Sequence, residues 1–224
     1  DYCLRHEIPF PHFNRLAGRP VKPSPLYERL KAKGAVFEEV YGHERPRWFA
    51  KDGIEARDHY SFRRNVVHDM VGLECRAVRE AVGIMDISAF TKVEVSGPEA
   101  EAFLDGLVAN RLPKKVGGIA LTHMLNRRGR IELETTVVRL GPDRFYLVCA
   151  AFFEQRLLDH LEQNRFLKKS PANAGARIFD ENSVTVTLRS NDWAALTLNG
   201  PRARDVLAAR PDADLTNARS EEPT

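Results

Sequence analysis

Two carboxylates at alternate positions are the first residues whose types and spacing suggest chemistry. Glu132 and Glu134 lie in the run RIELETTVVRL, which alternates apolar and polar residues as a strand does. Both side chains would then project from one face of the strand, about 7 Å apart. If that face lines a cavity, desolvation and mutual repulsion would make one of them a usable base near neutral pH. If the face is hydrated, both are ordinary solvated charges.

The turn after this strand indicates what surrounds Glu134. Residues 141–143 have turn chemistry and lead into the strand-like run RFYLVCA. A hairpin closed there places Glu134 opposite Ala150 or Ala151 and beside Cys149. Small side chains would leave room for a flat ligand, although a tightly packed sheet uses small residues as well.

Other signals of chemistry are weak. The seven histidines include no pair at i, i+4 on one predicted helix with a third ligand nearby, so we predict no metal site. No GxSxG, GxGxxG or Walker sequence occurs. The segment 44–49, ERPRWF, suits either stacking and anion binding or a docked tryptophan with arginine–glutamate pairs at its rim.

Hydrophobic periodicity predicts the elements that position these residues. We expect a short helix after Ser24, an irregular loop over 35–53 and a long helix over 60–82 with one buried face that includes Cys75. Three strands, IALTHMLN, RIELETTVVRL and RFYLVCA, form an antiparallel meander. A helix over 152–165 follows, and then the strands SVTVTLRS and WAALTLN and a helix over 201–209.

One internal repeat is visible. The segments 93–104, VEVSGPEAEAFL, and 196–207, LTLNGPRARDVL, share a strand, a Gly-Pro turn and an apolar helix face. Two copies of a strand–turn–helix unit predict a domain with two related halves.

Composition limits the class of protein. The chain has 224 residues, 43% of them hydrophobic and 29% charged, which is typical of a globular domain. The net charge of +3 is spread along the sequence, so we predict no nucleic acid partner. No apolar run approaches about 18 residues, so we predict no membrane-spanning segment. Three widely spaced cysteines argue for a reducing compartment.

Several segments together resemble a known family. They are AGRPVKPSPLYERLKAKGAVFEEVYGHERPRWFA, VGIMDISAFTKVEVSGPEAEAFLDGL, MLNRRGRIELETTVVRL and LTLNGPRARDVL. In order and spacing they are similar to the C-terminal half of the dimethylglycine and sarcosine dehydrogenase family. That half is homologous to the aminomethyltransferase, or T-protein, of the glycine cleavage system.

The resemblance implies an α+β, GcvT-type fold of antiparallel sheets and packed helices that binds tetrahydrofolate, truncated here at its C-terminus. Residues 1–55 resemble the end of an upstream flavin oxidoreductase part, and residues 56–224 the N-terminal portion of the folate domain. The implied activity is capture of an iminium one-carbon unit, produced from a methylated amine, as 5,10-methylenetetrahydrofolate. FAD is implied only with a flavin domain in cis or in another subunit. The family's compartments are the bacterial cytoplasm and the mitochondrial matrix.

Carried over by position, the family's catalytic carboxylate falls on Glu134, which favours the cavity interpretation of that strand face. Thr136 falls on a folate contact, and Phe90 replaces an apolar residue beside the pterin. Cys149 lies where the backbone approaches the ligand. Leu121 replaces a pocket tyrosine, so that contact is altered.

Two alternatives stay open. One is a non-catalytic module that serves regulation or interaction, as in a phosphatase-associated branch of the family. The other is the free aminomethyltransferase of glycine cleavage, against which the N-terminal arm and the GHERPRWF segment argue.

Overall fold

The structure, a computed structural model, describes residues 6–11, 13–165 and 183–210. These residues form the expected α+β arrangement, and a short 3-10 turn, Ala151–Phe153, joins two of its elements. The helices are α1 Tyr27–Ala32, α2 Val66–Glu80, α3 Ala100–Asp105, α4 Glu154–Arg165 and α5 Ala203–Ala208. The strands are β1 Ala35–Val40, β2 His43–Phe49, β3 Gly83–Asp86, β4 Phe90–Ser96, β5 Ile119–Leu125, β6 Ile131–Gly141, β7 Arg144–Ala150, β8 Thr185–Leu188 and β9 Leu196–Asn199.

A five-stranded antiparallel sheet with the order β5-β6-β7-β4-β8 holds every predicted site residue. The predicted meander is confirmed as β5, β6 and β7. One sheet face packs against α3 and α4, and the buried residues there form the core of the molecule. The helix residues that fill this layer are Ala100, Phe103 and Leu104 of α3 and Leu157 and Leu161 of α4, as their helical spacing predicts.

The two copies of the internal repeat exchange strands. One unit is β3, β4 and α3, and the other is β8, β9 and α5. β4 pairs with β8, the first strand of the other unit, while β9 pairs with β3 in a separate two-stranded sheet. The repeat is therefore reciprocal, since each unit completes its partner rather than itself.

A glycine with positive φ makes this exchange possible in both units. Gly97 has a φ of 123° and Gly200 a φ of 126°, a region that residues with a side chain rarely adopt. A Cβ added at Gly200 would lie 2.5 Å from the backbone oxygen of Ala81. Two residues after Gly97, the amide of Glu99 donates to the backbone oxygen of Ser183. Two residues after Gly200, the amide of Arg202 donates to the backbone oxygen of Ala81. Close backbone approach therefore requires glycine at both turns.

The expectation of an irregular loop over 35–53 is wrong, because β1 and β2 form an antiparallel hairpin there. Its tight turn uses Tyr41 and Gly42, both with positive φ, which is unusual for tyrosine and hid the turn signal. Pro46 also interrupts the alternation, but it lies where the register shifts in a two-stranded sheet, a position that tolerates proline.

The same hairpin decides between the two interpretations of the segment ERPRWF. Trp48 is buried, and its two neighbouring arginines form ion pairs, Arg45 with Glu38 and Arg47 with Asp58. The segment is thus a docked tryptophan with paired charges at its rim.

The long helix is shorter than predicted. α2 begins after Asn65, whose side chain accepts a hydrogen bond from the amide of Val67 at 3.0 Å. The predicted buried face is wrong, since no residue of α2 is buried and Cys75 is exposed. Its main neighbours among the described elements are β2 and β3, which shield it only in part. No helix in the described ranges is long and apolar enough to cross a bilayer.

Candidate functional site

Strand register brings four of the five predicted site residues to one face of the sheet. Leu121 of β5 pairs with Thr136 of β6, which pairs with Val148 of β7. Two residues further along β5, His123 pairs with Glu134, and Phe90 of β4 pairs with Ala150 of β7. Paired residues on antiparallel strands project to the same side, as do residues two apart on one strand. We call the surface formed by Phe90, Leu121, His123, Glu134, Thr136 and Val148 the outer face, because it is opposite the helical layer.

Cys149 is the predicted residue whose side chain does not join the others. It lies between Val148 and Ala150, so its thiol projects into the helical layer, where it is buried. Burial raises the pKa of this thiol to about 11, and the group is neutral at physiological pH. Any contact of Cys149 with a ligand on the outer face is therefore through its backbone, as expected.

The predicted surroundings of Glu134 omit one neighbour. The hairpin register of β6 and β7 is as expected, although the paired residues end at Thr136 and Val148. Ala150 pairs with Phe90 on its β4 side. On its β5 side, Glu134 pairs with His123, so an imidazole borders the carboxylate there.

Glu134 and His123 form a polar pair that water can reach. The His123 Nε2 atom lies 3.3 Å from Glu134 Oε2, and the side chains are 41% and 59% exposed. Glu134 does not line the cavity between the β5–β6 turn and α4 or the smaller cavity beside α2. The described residues therefore place the carboxylate on an open surface, whereas the resemblance implied a pocket.

The outer face is apolar around this pair. Leu121 is 56% exposed and pairs with Thr136, and Phe90, 39% exposed, adds apolar surface on β4, two strands away from β6. A flat heteroaromatic ring such as a pterin fits one side of such a surface, with apolar contact below and polar groups at its edge. The described residues supply that one side and no second wall.

The end of the outer face near β4 is closed by the segment that connects β8 to β9. Tyr146 and Trp193 pack with ring centroids 5.0 Å apart. Lys92, a charged residue of β4, is only 1% exposed. Its ammonium donates to the backbone oxygens of Ser88 at 2.6 Å, Phe90 at 3.1 Å and Ser190 at 3.1 Å. Burial lowers the pKa of Lys92.

Two residues that border this site, His123 and Lys92, are not among the predicted site residues. The position of His123 could have been predicted, because the register of a β5–β6 hairpin places it opposite Glu134. Lys92 had no such signal, since its neighbours Ser88 and Ser190 come from segments about a hundred residues apart. In the described part of the chain, no group of three or more His, Cys, Asp or Glu side chains has an arrangement that could hold a metal ion.

Comparisons with known proteins agree with this architecture. A family model described as the GCVT N-terminal domain matches residues 26–221. Mitochondrial dimethylglycine dehydrogenase of Mus musculus is 33% identical over 218 residues, which cover 97% of this chain and 24% of the relative. The mitochondrial pyruvate dehydrogenase phosphatase regulatory subunit of Mus musculus is 33% identical over 220 residues, covering 95% of this chain and 23% of the relative. The chain thus spans about a quarter of the length of these curated relatives.

A solved structure supports the fold independently. Glycine cleavage system aminomethyltransferase T from Bartonella henselae superposes with a TM-score of 0.57 at 27% identity. The match covers 84% of this chain and 43% of that chain. The fold expected from the sequence is therefore confirmed by a neighbour of known structure.

Proposed function

Because the chain belongs to the family of the GCVT N-terminal domain, we propose that it is a tetrahydrofolate-binding domain for one-carbon transfer in an N-methyl amine dehydrogenase. In this proposal residues 56–224 form the N-terminal portion of the folate domain, and residues 1–55 lead to a flavin oxidoreductase part. That part, with its FAD, is in the same gene product or in another subunit. A methylated amine of the dimethylglycine or sarcosine type is the substrate. We expect a mitochondrial matrix location in a eukaryote and a cytoplasmic one in a bacterium.

The observation that carries the proposal is a carboxylate bordered by an exposed apolar sheet face. Glu134 shares this face with Leu121, Thr136 and Phe90, which are the positions that the family resemblance assigned to folate. In the proposed complex, Phe90 and Leu121 contact the flat ring of the pterin, and Thr136 hydrogen-bonds at its edge. The backbone of Cys149 approaches the ligand from the neighbouring strand.

Glu134 has the chemical role in this arrangement. Tetrahydrofolate, when bound, supplies the nucleophilic nitrogen that accepts the one-carbon unit. The Glu134 carboxylate accepts the proton released at that nitrogen, and its negative charge stabilises positive charge on the incoming electrophile. His123 Nε2, 3.3 Å away, then takes the proton to solvent, because both side chains are exposed to water.

Titration of the complete gene product with tetrahydrofolate tests the proposal. We expect saturable binding by calorimetry and one-carbon capture in a turnover assay. Glu134→Gln keeps the size of the side chain but removes the base, so capture should fall about 10²–10⁴-fold while folate still binds. Glu28→Gln, the same change at an exposed position on α1, is the matched control and should leave both measurements unchanged. Absence of saturable binding, or unchanged capture in Glu134→Gln, would contradict the proposal.

One observation favours a second candidate function, a non-catalytic module for regulation or interaction. The Glu134 side chain is 59% exposed and lies on an open sheet surface. A relative of similar identity is named a phosphatase regulatory subunit. The same titration separates the candidates: a folded gene product that binds no tetrahydrofolate favours the regulatory module.

A further inference from the structure

A surface region separate from the outer face has the form of a ligand site. A cavity of about 680 Å³ lies between the β5–β6 turn and one side of α4. Small-molecule sites in proteins occupy about 300–1,000 Å³, so its size is suitable. None of Phe90, Leu121, Glu134, Thr136 and Cys149 lines it. A ligand here would therefore touch none of the residues proposed for folate.

Hydrogen bonds hold the walls of this cavity in place. The side-chain oxygen of Asn126 accepts from the amides of Arg128 at 2.9 Å and Arg130 at 3.1 Å, which fixes the turn. The Arg156 guanidinium of α4 donates to Glu132 of β6, with an Nε–Oε2 distance of 2.8 Å. The helix and the turn are thus linked across the cavity, and a preformed site loses less entropy when a ligand binds.

The charge that remains uncompensated in this cavity is positive. Arg127 and Arg128 line it and are exposed, and no ion pair within the described ranges involves either. Of the two lining carboxylates, Glu132 is already paired with Arg156. Asp159 accepts a hydrogen bond from Gln155 at 2.7 Å. Gln155 is neutral, so Asp159 keeps its charge, and the three lining arginines against the two lining carboxylates leave a net charge of +1 to attract a negatively charged ligand.

His160 adds a buried polar atom to the same cavity. It lines the cavity from α4, and its Nε2 atom is buried with no hydrogen-bond partner in the described structure. Burial lowers the pKa of His160, which favours the neutral imidazole. A buried ring nitrogen without a partner is costly, and a small rotation of the ring toward the cavity would let a ligand oxygen satisfy it when that nitrogen carries the proton.

From these features we infer that the cavity binds a small oxyanion with more than one negative charge. Arg127 and Arg128 pair with the anion, and His160 Nε2 donates to one of its oxygens. Guanidinium groups hydrogen-bond carboxylate and phosphate oxygens in the same paired geometry. The ligand class is therefore a polycarboxylate or a phosphorylated metabolite, and two probes distinguish them.

The test titrates the complete gene product, free of folate, with citrate and separately with inorganic phosphate at low ionic strength. We expect saturable binding of at least one probe by calorimetry, with a Kd of about 1 mM or tighter that weakens as salt is added. The double variant Arg127→Gln with Arg128→Gln should bind that probe at least about tenfold more weakly, since two charged hydrogen-bond donors are lost. Arg130→Gln changes an arginine on the same turn that does not line the cavity, and should bind like the wild type.

The two probes also identify the ligand chemistry. Binding of citrate alone indicates a polycarboxylate, and binding of phosphate alone indicates a phosphorylated metabolite. If neither probe saturates, or if the double variant and the Arg130 variant lose affinity equally, the inference is overturned. We expect these variants to bind folate as the wild type does, because none of these arginines is among the residues proposed for folate, so this result is separate from the test of the proposed function.

Discussion

Replacing Lys92 by methionine tests how the outer face is built. The Lys92 ammonium is buried against three backbone oxygens that belong to two chain segments. It joins the start of β4, where Phe90 lies, to the segment that follows β8. Methionine keeps the length of the side chain and removes only its charge and its three donors.

The expected loss of stability follows from these contacts. Hydrogen bonds from a charged donor contribute about 1.5–3 kcal/mol each, or about 4.5–9 kcal/mol for three. Burial of the ammonium costs several kcal/mol, which the substitution relieves. The Ser88 oxygen also accepts from the Phe90 amide at 2.7 Å, so it keeps one partner in the variant. We therefore expect Lys92→Met to lower the free energy of unfolding by about 2–4 kcal/mol at neutral pH.

The pH dependence of this stability difference has a definite sign, which follows from the direction of the Lys92 pKa shift. Burial lowers the pKa of Lys92 from 10.5. Between the folded pKa and 10.5, the unfolded chain binds a proton that native Lys92 has released, so this group makes the protein more stable as pH rises. The methionine variant lacks this contribution. The difference in unfolding free energy between wild type and variant should therefore grow as the solution becomes alkaline.

Urea unfolding monitored by circular dichroism, from about pH 7 to about pH 10, measures both quantities. Other groups that titrate at high pH are common to the two proteins and cancel in the difference. Lys114→Met, on an exposed lysine, is the control and should change stability by no more than about 0.5 kcal/mol. A Lys92→Met protein as stable as wild type, or a difference that shrinks as pH rises, would refute the reasoning.

Three further predictions concern the turns, acid stability and the thiols. Gly200→Ala should lower the free energy of unfolding by about 2–4 kcal/mol, because the φ of Gly200 is 126° and the added Cβ would meet backbone atoms. Gly53→Ala is the control in the same denaturation assay. Gly53 has open space around it, so this change should cost about 1 kcal/mol. Burial lowers the pKa of His43 below 6.5, so the free energy of unfolding should decrease as pH drops below 6.5. In His43→Gln this decrease should be smaller, as denaturant unfolding at a series of acidic pH values can measure. An equal decrease in the variant and the wild type would contradict this. Iodoacetamide at neutral pH should alkylate exposed Cys75 and leave buried Cys149, with its pKa of about 11, unmodified until unfolding, as peptide mass spectrometry can establish.

Helices and strands whose apolar residues recur with a regular spacing were predictable from the sequence. Features that depend on contacts with another segment of the chain were not. The β5, β6 and β7 meander and the helix α4 follow from alternation and helical spacing within each segment. The β1–β2 hairpin was missed because its turn uses Tyr41 with positive φ and its second strand contains Pro46. The exposure of α2 was missed because periodicity identifies an apolar face but not what covers it.

The candidate site shows the same division. Alternation along β6 places Glu134 and Thr136 on one face without any knowledge of the fold. The imidazole beside Glu134 depends on a register between two strands, and the closure of the outer face near Phe90 depends on a segment about a hundred residues away. Such contacts leave no periodic trace in the sequence.

The sequence alone was sufficient for the family, the α+β class, most elements and the carboxylate at Glu134, because these depend on local patterns of polarity and turn residues. Only the tertiary structure decided that the two repeats exchange strands, that Lys92 is buried and that His123 lies beside Glu134. The physical reason is that backbone pairing between distant segments sets burial and proximity. A polar residue such as Lys92 is compatible with solvent or with a ring of carbonyl oxygens until that pairing is known.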